Sequence, residues 1–269
     1  MALFEKSALK IPSVRAGWDL DAWQYLPVSG NKPFPVIVMA HGFGADKTMG
    51  LVHYAEAFTT SGYACLVFDY RRWGASDGTP RHVLIVKEQL EDYRSVMKYT
   101  QQHPELFDPQ RLVVWGSSFS GGHAITLSAE PGTNAVAAVA QCPYTGTTPS
   151  LPMDITYAKT VASVVRDMAK QAIGFAPAYI PVVSEPGTVG ALTTEGTKAG
   201  ILTIVSKDRE YRNEDNLCLP EGAIEISKAT EKCELVLLPC GHFDVYFGNS
   251  HHMESLMAQL AFLTKHVPL

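Results

Sequence analysis

The chain has 269 residues, 46% of them hydrophobic and 18% charged, with a formal net charge of −5 at pH 7. That length suffices for one large domain or a core with an inserted segment, and the acidic balance gives a polyanion nothing to hold, which argues against nucleic acid as a partner. No apolar run approaches the ~20 residues that cross a bilayer, the opening Met1-Ala2-Leu3-Phe4-Glu5-Lys6 lacks the layout of a signal peptide, and the five cysteines (Cys65, Cys142, Cys218, Cys233, Cys240) form no close-spaced ligand pairs. A cytoplasmic protein with reduced thiols, no metal and no membrane partner is expected.

Short apolar runs alternate with helical periodicity, the pattern of an α/β fold with a mainly parallel sheet. Val36-Ile37-Val38-Met39-Ala40 reads as a buried strand ending at His41-Gly42-Phe43-Gly44. A helical stretch around 51–60 leads to a strand over 63–68, which stops at Asp69. From 83 to 102, Val86, Leu90, Tyr93 and Met97 recur at helical spacing until Pro104. Leu112-Val113-Val114-Trp115 is the next strand; it runs into Gly116-Ser117-Ser118-Phe119-Ser120-Gly121-Gly122, a helix over 123–129 and a strand over 135–141.

After Pro143 the pattern changes. Ile155, Ala158, Val161, Val165, Met168 and Ile173 mark a long amphipathic helix, and 176–200 is rich in Pro, Gly and Thr. Alternation resumes with an expected strand over 201–205, helix over 221–229, strand over 234–238 and helix over 251–266. Residues 1–143 and 201–269 therefore read as the core, and 144–200 as a cap inserted above the sheet. Tyr144, Tyr157, Phe175 and Tyr179 around that cap fit either an apolar ligand or plain core.

The chemistry concentrates at Ser118. A serine in a sharp turn between a buried strand and a helix is held above the sheet, and its neighbours two residues away must be small. Gly116 and Ser120 meet that demand, although glycine is usual at the second place. A serine there could equally cap the helix; its position and the remaining parts favour a nucleophile. The backbone N–H of Phe43, with that of Phe119, would form an oxyanion hole. His242, in Pro239-Cys240-Gly241-His242-Phe243-Asp244, is the one of nine histidines in the loop between the last expected strand and the last expected helix, where a general base belongs. His53, His82, His103, His251 and His252 read as solvated, and His123 as structural. A carboxylate must orient the imidazole, and two candidates stand in the loop before the preceding helix. Asp208 closely follows the apolar run 201–205; Asp215 lies just before the helix that begins beyond Pro220.

Together, His41-Gly42-Phe43-Gly44, Phe68-Asp69-Tyr70-Arg71, Gly74-Ala75-Ser76-Asp77-Gly78, Pro80-Arg81, the Trp115–His123 run and Pro239–Asp244 resemble the dienelactone-hydrolase-like α/β-hydrolases. The nearest resemblance within them is to the polyketide transferases of fungal secondary metabolism. It covers most of the chain. It implies the α/β-hydrolase fold, no cofactor, and an ester, thioester or lactone substrate handled by a hydrolase or acyltransferase. It also points to Asp215 as the acid. In that group more chain, including a strand, separates the counterpart of Tyr211-Arg212-Asn213-Glu214 from that of Asp215-Asn216-Leu217-Cys218, so this sequence reads as internally shortened, with 201–205 as a substitute strand. The same residues would also fit a descendant that only binds a small hydrophobic ligand, or a lyase or isomerase; self-association into a homodimer is left open.

Overall fold

In the computed structural model, the described residues are 3–146, 155–176, 178–205, 218 and 220–269. The centre is a six-stranded sheet in the order β1-β2-β4-β3-β5-β6. β1 (Phe4–Pro12) and β2 (Asp19–Pro27) form an antiparallel edge that the periodicity did not reveal. β3 (Phe34–Ala40), β4 (Ala64–Phe68), β5 (Phe107–Ser117) and β6 (Ala135–Gln141) are parallel. Their near-continuous apolar sequence follows from burial on both faces.

Strand alternation sorts these side chains into two cores. Val36, Val38, Leu66, Phe68, Leu112 and Val114 face one layer, with Tyr93 and Met97 of α2 (Val86–Gln102) and Ala124 and Leu127 of α3 (Phe119–Ala129). Ile37, Met39, Cys65, Val67, Val113 and Trp115 face the other, with Tyr54 and Phe58 of α1 (Val52–Thr60) and Leu256 and Leu263 of α7 (His252–His266). Helices on both faces of a parallel sheet confirm the expected α/β class.

The parallel register sets the site. Ala40 pairs with Phe68 on one side and Gly116 on the other, and Ser117 pairs with Gln141. The chain therefore leaves β3, β4 and β5 at one level, delivering His41, Asp69 and Ser118 side by side. β3 lies between β4 and β5, so chain order reverses about it, and the crevice beyond the strand ends at such a point is where open α/β sheets bind ligands.

Two expected strands are corrected. Residues 201–205 end a helix, α5 (Thr197–Val205). A short apolar run suits either conformation; without a strand neighbour the helix satisfies its backbone internally, and the spacing of Ile201 and Ile204 lets both pack against the cluster of Phe243, Val245 and Tyr246. Residues 234–238 form no strand, and Val236 and Leu237 are each 59% exposed. Among the described residues the sheet ends at β6, so this segment has no partner edge beside it. The long helix α4 (Ile155–Ala172) and α6 (Pro220–Ala229) stand where expected.

Candidate active site

Ser118 occupies the sharp turn between β5 and α3 with φ 56° and ψ −117°, a conformation that costs a non-glycine residue about 1–3 kcal/mol. The surroundings enforce it. Ser118 N–H donates to Gln141 O (2.9 Å), and Ser118 O accepts from the N–H groups of Gly121 (2.9 Å) and Tyr144 (2.9 Å). A Cβ at Gly116 would lie 1.9 Å from Ser120 O, so the doubled-back chain admits only glycine there. Ser118 precedes α3 yet makes no side-chain cap hydrogen bond. Its Oγ instead lies 3.0 Å from Nε2 of His242, which excludes the helix-capping alternative.

Ser120, the departure from glycine, has a use for its hydroxyl. It donates to the main-chain carbonyl of His41 and lies 2.6 Å from the hydroxyl of Tyr70, which then donates to it. The His41–Gly44 loop is thereby fastened to the elbow. At Gly42 a Cβ would stand 3.0 Å from that of Ser118, so the loop passes directly over the nucleophile's stem. Phe43 and Phe119, the two expected oxyanion donors, face each other across this gap with ring centroids 5.9 Å apart.

Behind the loop lies a buried ionic group. Lys47 Nζ is 2.5 Å from Asp69 Oδ2 and 2.5 Å from Asp21 Oδ1, and Asp69 also accepts from the N–H groups of Lys47 (2.7 Å) and Ala75 (2.9 Å). Burial pulls the Lys47 ammonium down, but its bonds to Asp21 and Asp69 outweigh this and hold it above its ordinary pKa. His41, buried against Asp69, is pushed below its ordinary value by burial. Lys47 and Asp21 are not marked by the sequence; His41 and Asp69 stand out there only as strand ends and within the motifs that carry the family resemblance.

His242 is held by the loop before α7. Gly241 N–H donates to Asp244 Oδ2 (2.9 Å), so Asp244 shapes the turn. Cys142 Sγ lies 4.0 Å from His242 Nε2, and Cys218 Sγ 4.0 Å from Ser118 Oγ. Beneath Ser118, Ser117 Oγ lies 2.6 Å from Tyr246 OH; Gln141 donates to Ser117 (3.2 Å) and accepts from Gln259 (2.8 Å). This chain of hydrogen bonds joins β5, β6, α7 and the His242 loop. Asp208 and Asp215 lie outside the described residues.

Ser118 and His242 line a narrow cleft whose walls also include Met49, Leu192, Ile201, Ile204 and Phe243. Tyr144 stacks on Phe119 with centroids 5.5 Å apart. Phe175 and Tyr179 are 61% and 57% exposed and Tyr157 is exposed too, so these three are neither core nor cleft wall. His123 is structural, as expected: it is buried and its Nε2 lies 2.9 Å from Gln89 Oε1. His252, expected in solvent, is buried; it packs edge-on to Tyr54 and its Nδ1 lies 3.2 Å from Val245 O.

A hydroxyl within hydrogen-bond reach of an imidazole is equipped to attack a carbonyl. The family model described as serine aminopeptidase, S33, matches residues 31–233. The quorum-quenching protein AidA of Acinetobacter baumannii is 36% identical over 194 residues, 71% of this chain and 63% of its own length. Polyketide transferase ATR5 of Stachybotrys chlorohalonatus is 32% identical over 172 residues, 64% of this chain and 55% of its own. The chain thus spans no more than 63% of the length of these two relatives. The crystal structure of the α/β-hydrolase GrgF from Penicillium sp. sh18 superposes with a TM-score of 0.77 at 22% identity, over 98% of this chain and 100% of that one.

Proposed function

This chain belongs to the serine aminopeptidase S33 family of α/β-hydrolases, and we propose that it is a serine-dependent acyl-transfer enzyme acting on an ester, thioester or lactone. The observation that carries this reading is the 3.0 Å approach of Ser118 Oγ to His242 Nε2, made by a serine in strained backbone geometry. In this mechanism His242 takes the Ser118 proton as Oγ attacks the carbonyl carbon. The N–H groups of Phe43 and Phe119 receive the oxyanion. The leaving alcohol or thiol departs with the proton from His242, and water or a second alcohol resolves the acyl-enzyme by the same steps in reverse order.

Asp215 is assigned as the acid that orients His242. The strand geometry that argued for Asp208 is gone, because 201–205 is helical. Cys218, three residues beyond Asp215, lies against Ser118, and three residues of chain reach at most about 11 Å. Residues 144–200 are assigned as the cap, and Leu192 reaches from it over the cleft. The apolar walls suit a hydrophobic acyl group, and the polyketide transferase relative favours a polyketide-derived one.

Turnover of a panel of p-nitrophenyl esters and acyl thioesters tests this reading. Activity on at least one, lost in Ser118→Ala and reduced in Asp215→Asn but not in Asp208→Asn, is expected. A folded protein without turnover on any member would contradict it.

A further inference from the structure

In the loop that carries His242, three side chains of different chemistry converge: Cys240, Asp244 and His251, whose donor atoms all lie within 4.8 Å of one another. We propose that they bind one zinc-class divalent cation, which braces the loop carrying His242. Thiolate, imidazole and carboxylate together are the ligand set of zinc. Bonds of about 2.0–2.3 Å in a tetrahedral site place donors about 3.5 Å apart, so the group closes around an ion by side-chain rotation, with water as the fourth ligand.

A second observation points independently to a ligand. Asp244 is only 3% exposed, and its Oδ1 has no hydrogen-bond partner among the described residues, whereas Oδ2 accepts from Gly241 N–H. A buried carboxylate oxygen left without a donor is costly, and a cation satisfies it. His251 is suitably prepared, because Ser250 Oγ lies 2.9 Å from its Nδ1. A partner on one ring nitrogen fixes the orientation of a metal-bound imidazole. The backbone is also already folded back: His251 N–H donates to Asp244 O at 3.0 Å.

The position gives the site its meaning. Cys240 and Asp244 stand two residues either side of His242, and His251 immediately precedes α7. An ion bound by all three ties both arms of the His242 turn to the start of that helix. The Cys240 thiol gives its proton to solvent on binding, so affinity rises with pH. The cysteine spacings alone did not reveal the site, because only one of its ligands is a cysteine.

The test uses the tag-free full chain, stripped with chelator and titrated with Zn²⁺ against a chromophoric competitor, and separately with Co²⁺. One Zn²⁺ per chain is expected, with a rise in thermal midpoint and, for Co²⁺, a near-ultraviolet thiolate-to-metal band. Cys240→Ser should abolish the band, and Cys240→Ser and His251→Gln should each weaken Zn²⁺ binding at least tenfold. Cys233→Ser, at the exposed cysteine, should change neither. Circular dichroism of the metal-free variants confirms their folding, and His251→Gln serves alone if Cys240→Ser fails to fold. Absence of stoichiometric binding, or binding that survives the variants or depends on Cys233, overturns the proposal.

Discussion

Ser120 Oγ donates to the carbonyl of His41, so the residue two beyond the nucleophile fastens the loop opposite it. Ser120→Ala removes this tie and strands the buried Tyr70 hydroxyl, whose bond to Ser120 is 2.6 Å. The expected loss is about 2 kcal/mol of stability, read from urea unfolding, with kcat falling more than KM because the oxyanion donors loosen. Unchanged kcat in a folded variant would show that the loop holds its place without Ser120.

Lys47 joins Asp69 and Asp21 behind the same loop. Replacing it with Met leaves the Asp69 carboxylate buried without its cation. Breaking such a buried pair costs about 4 kcal/mol, so Lys47→Met should unfold at markedly lower denaturant. A loss within 1 kcal/mol, the range of a surface pair, would contradict the structural role given to it.

Gly200 packs α5 against the residue after His242. A Cβ there would lie 2.1 Å from Phe243 Cδ2, and the Phe243 ring centroid is 5.0 Å from that of His242. Gly200→Ala must therefore move Phe243 or α5. Ester turnover should fall at least tenfold while circular dichroism stays unchanged; wild-type turnover would show that α5 is free to shift without disturbing the base.

Acid stability follows from the buried imidazoles. Burial lowers the pKa of His123 to about 4 and pushes His41 and His252 down as well. The folded form keeps these rings neutral while the unfolded chain takes up protons below about pH 6.5. Their contribution is therefore full above pH 6.5 and declines as pH falls toward 4. For His123 the drop is about 3 kcal/mol. His123→Gln should flatten the fall in unfolding free energy across that window by close to one proton; an unchanged slope would contradict the assignment.

Residues whose type and spacing are dictated by chemistry were the legible ones. Ser118, His242 and the small neighbour Gly116 declare themselves because the turn admits little else, and β3, β4 and β5 because burial on both faces leaves an unbroken apolar run. The N-terminal pair β1 and β2 was missed. Its half-buried strands carry charged residues such as Glu5, Lys6 and Lys10, which dilute any apolar signal. Residues 201–205 and 234–238 carry genuine strand composition, but among the described residues the sheet ends at β6, and no local window contains the position of a sheet's edge. The ionic role of Lys47 and Asp69 and the hydrogen bond of Ser120 to His41 were not legible, because each acts through a partner distant in sequence.

The most direct test of the central claim is covalent. A fluorophosphonate probe, incubated with the full chain and mapped by mass spectrometry after digestion, should label Ser118 alone. The labelling should disappear in Ser118→Ala and slow at least a hundredfold in His242→Ala. Labelling at another residue, or none under conditions where the chain is folded, would contradict Ser118 as the nucleophile and His242 as its base.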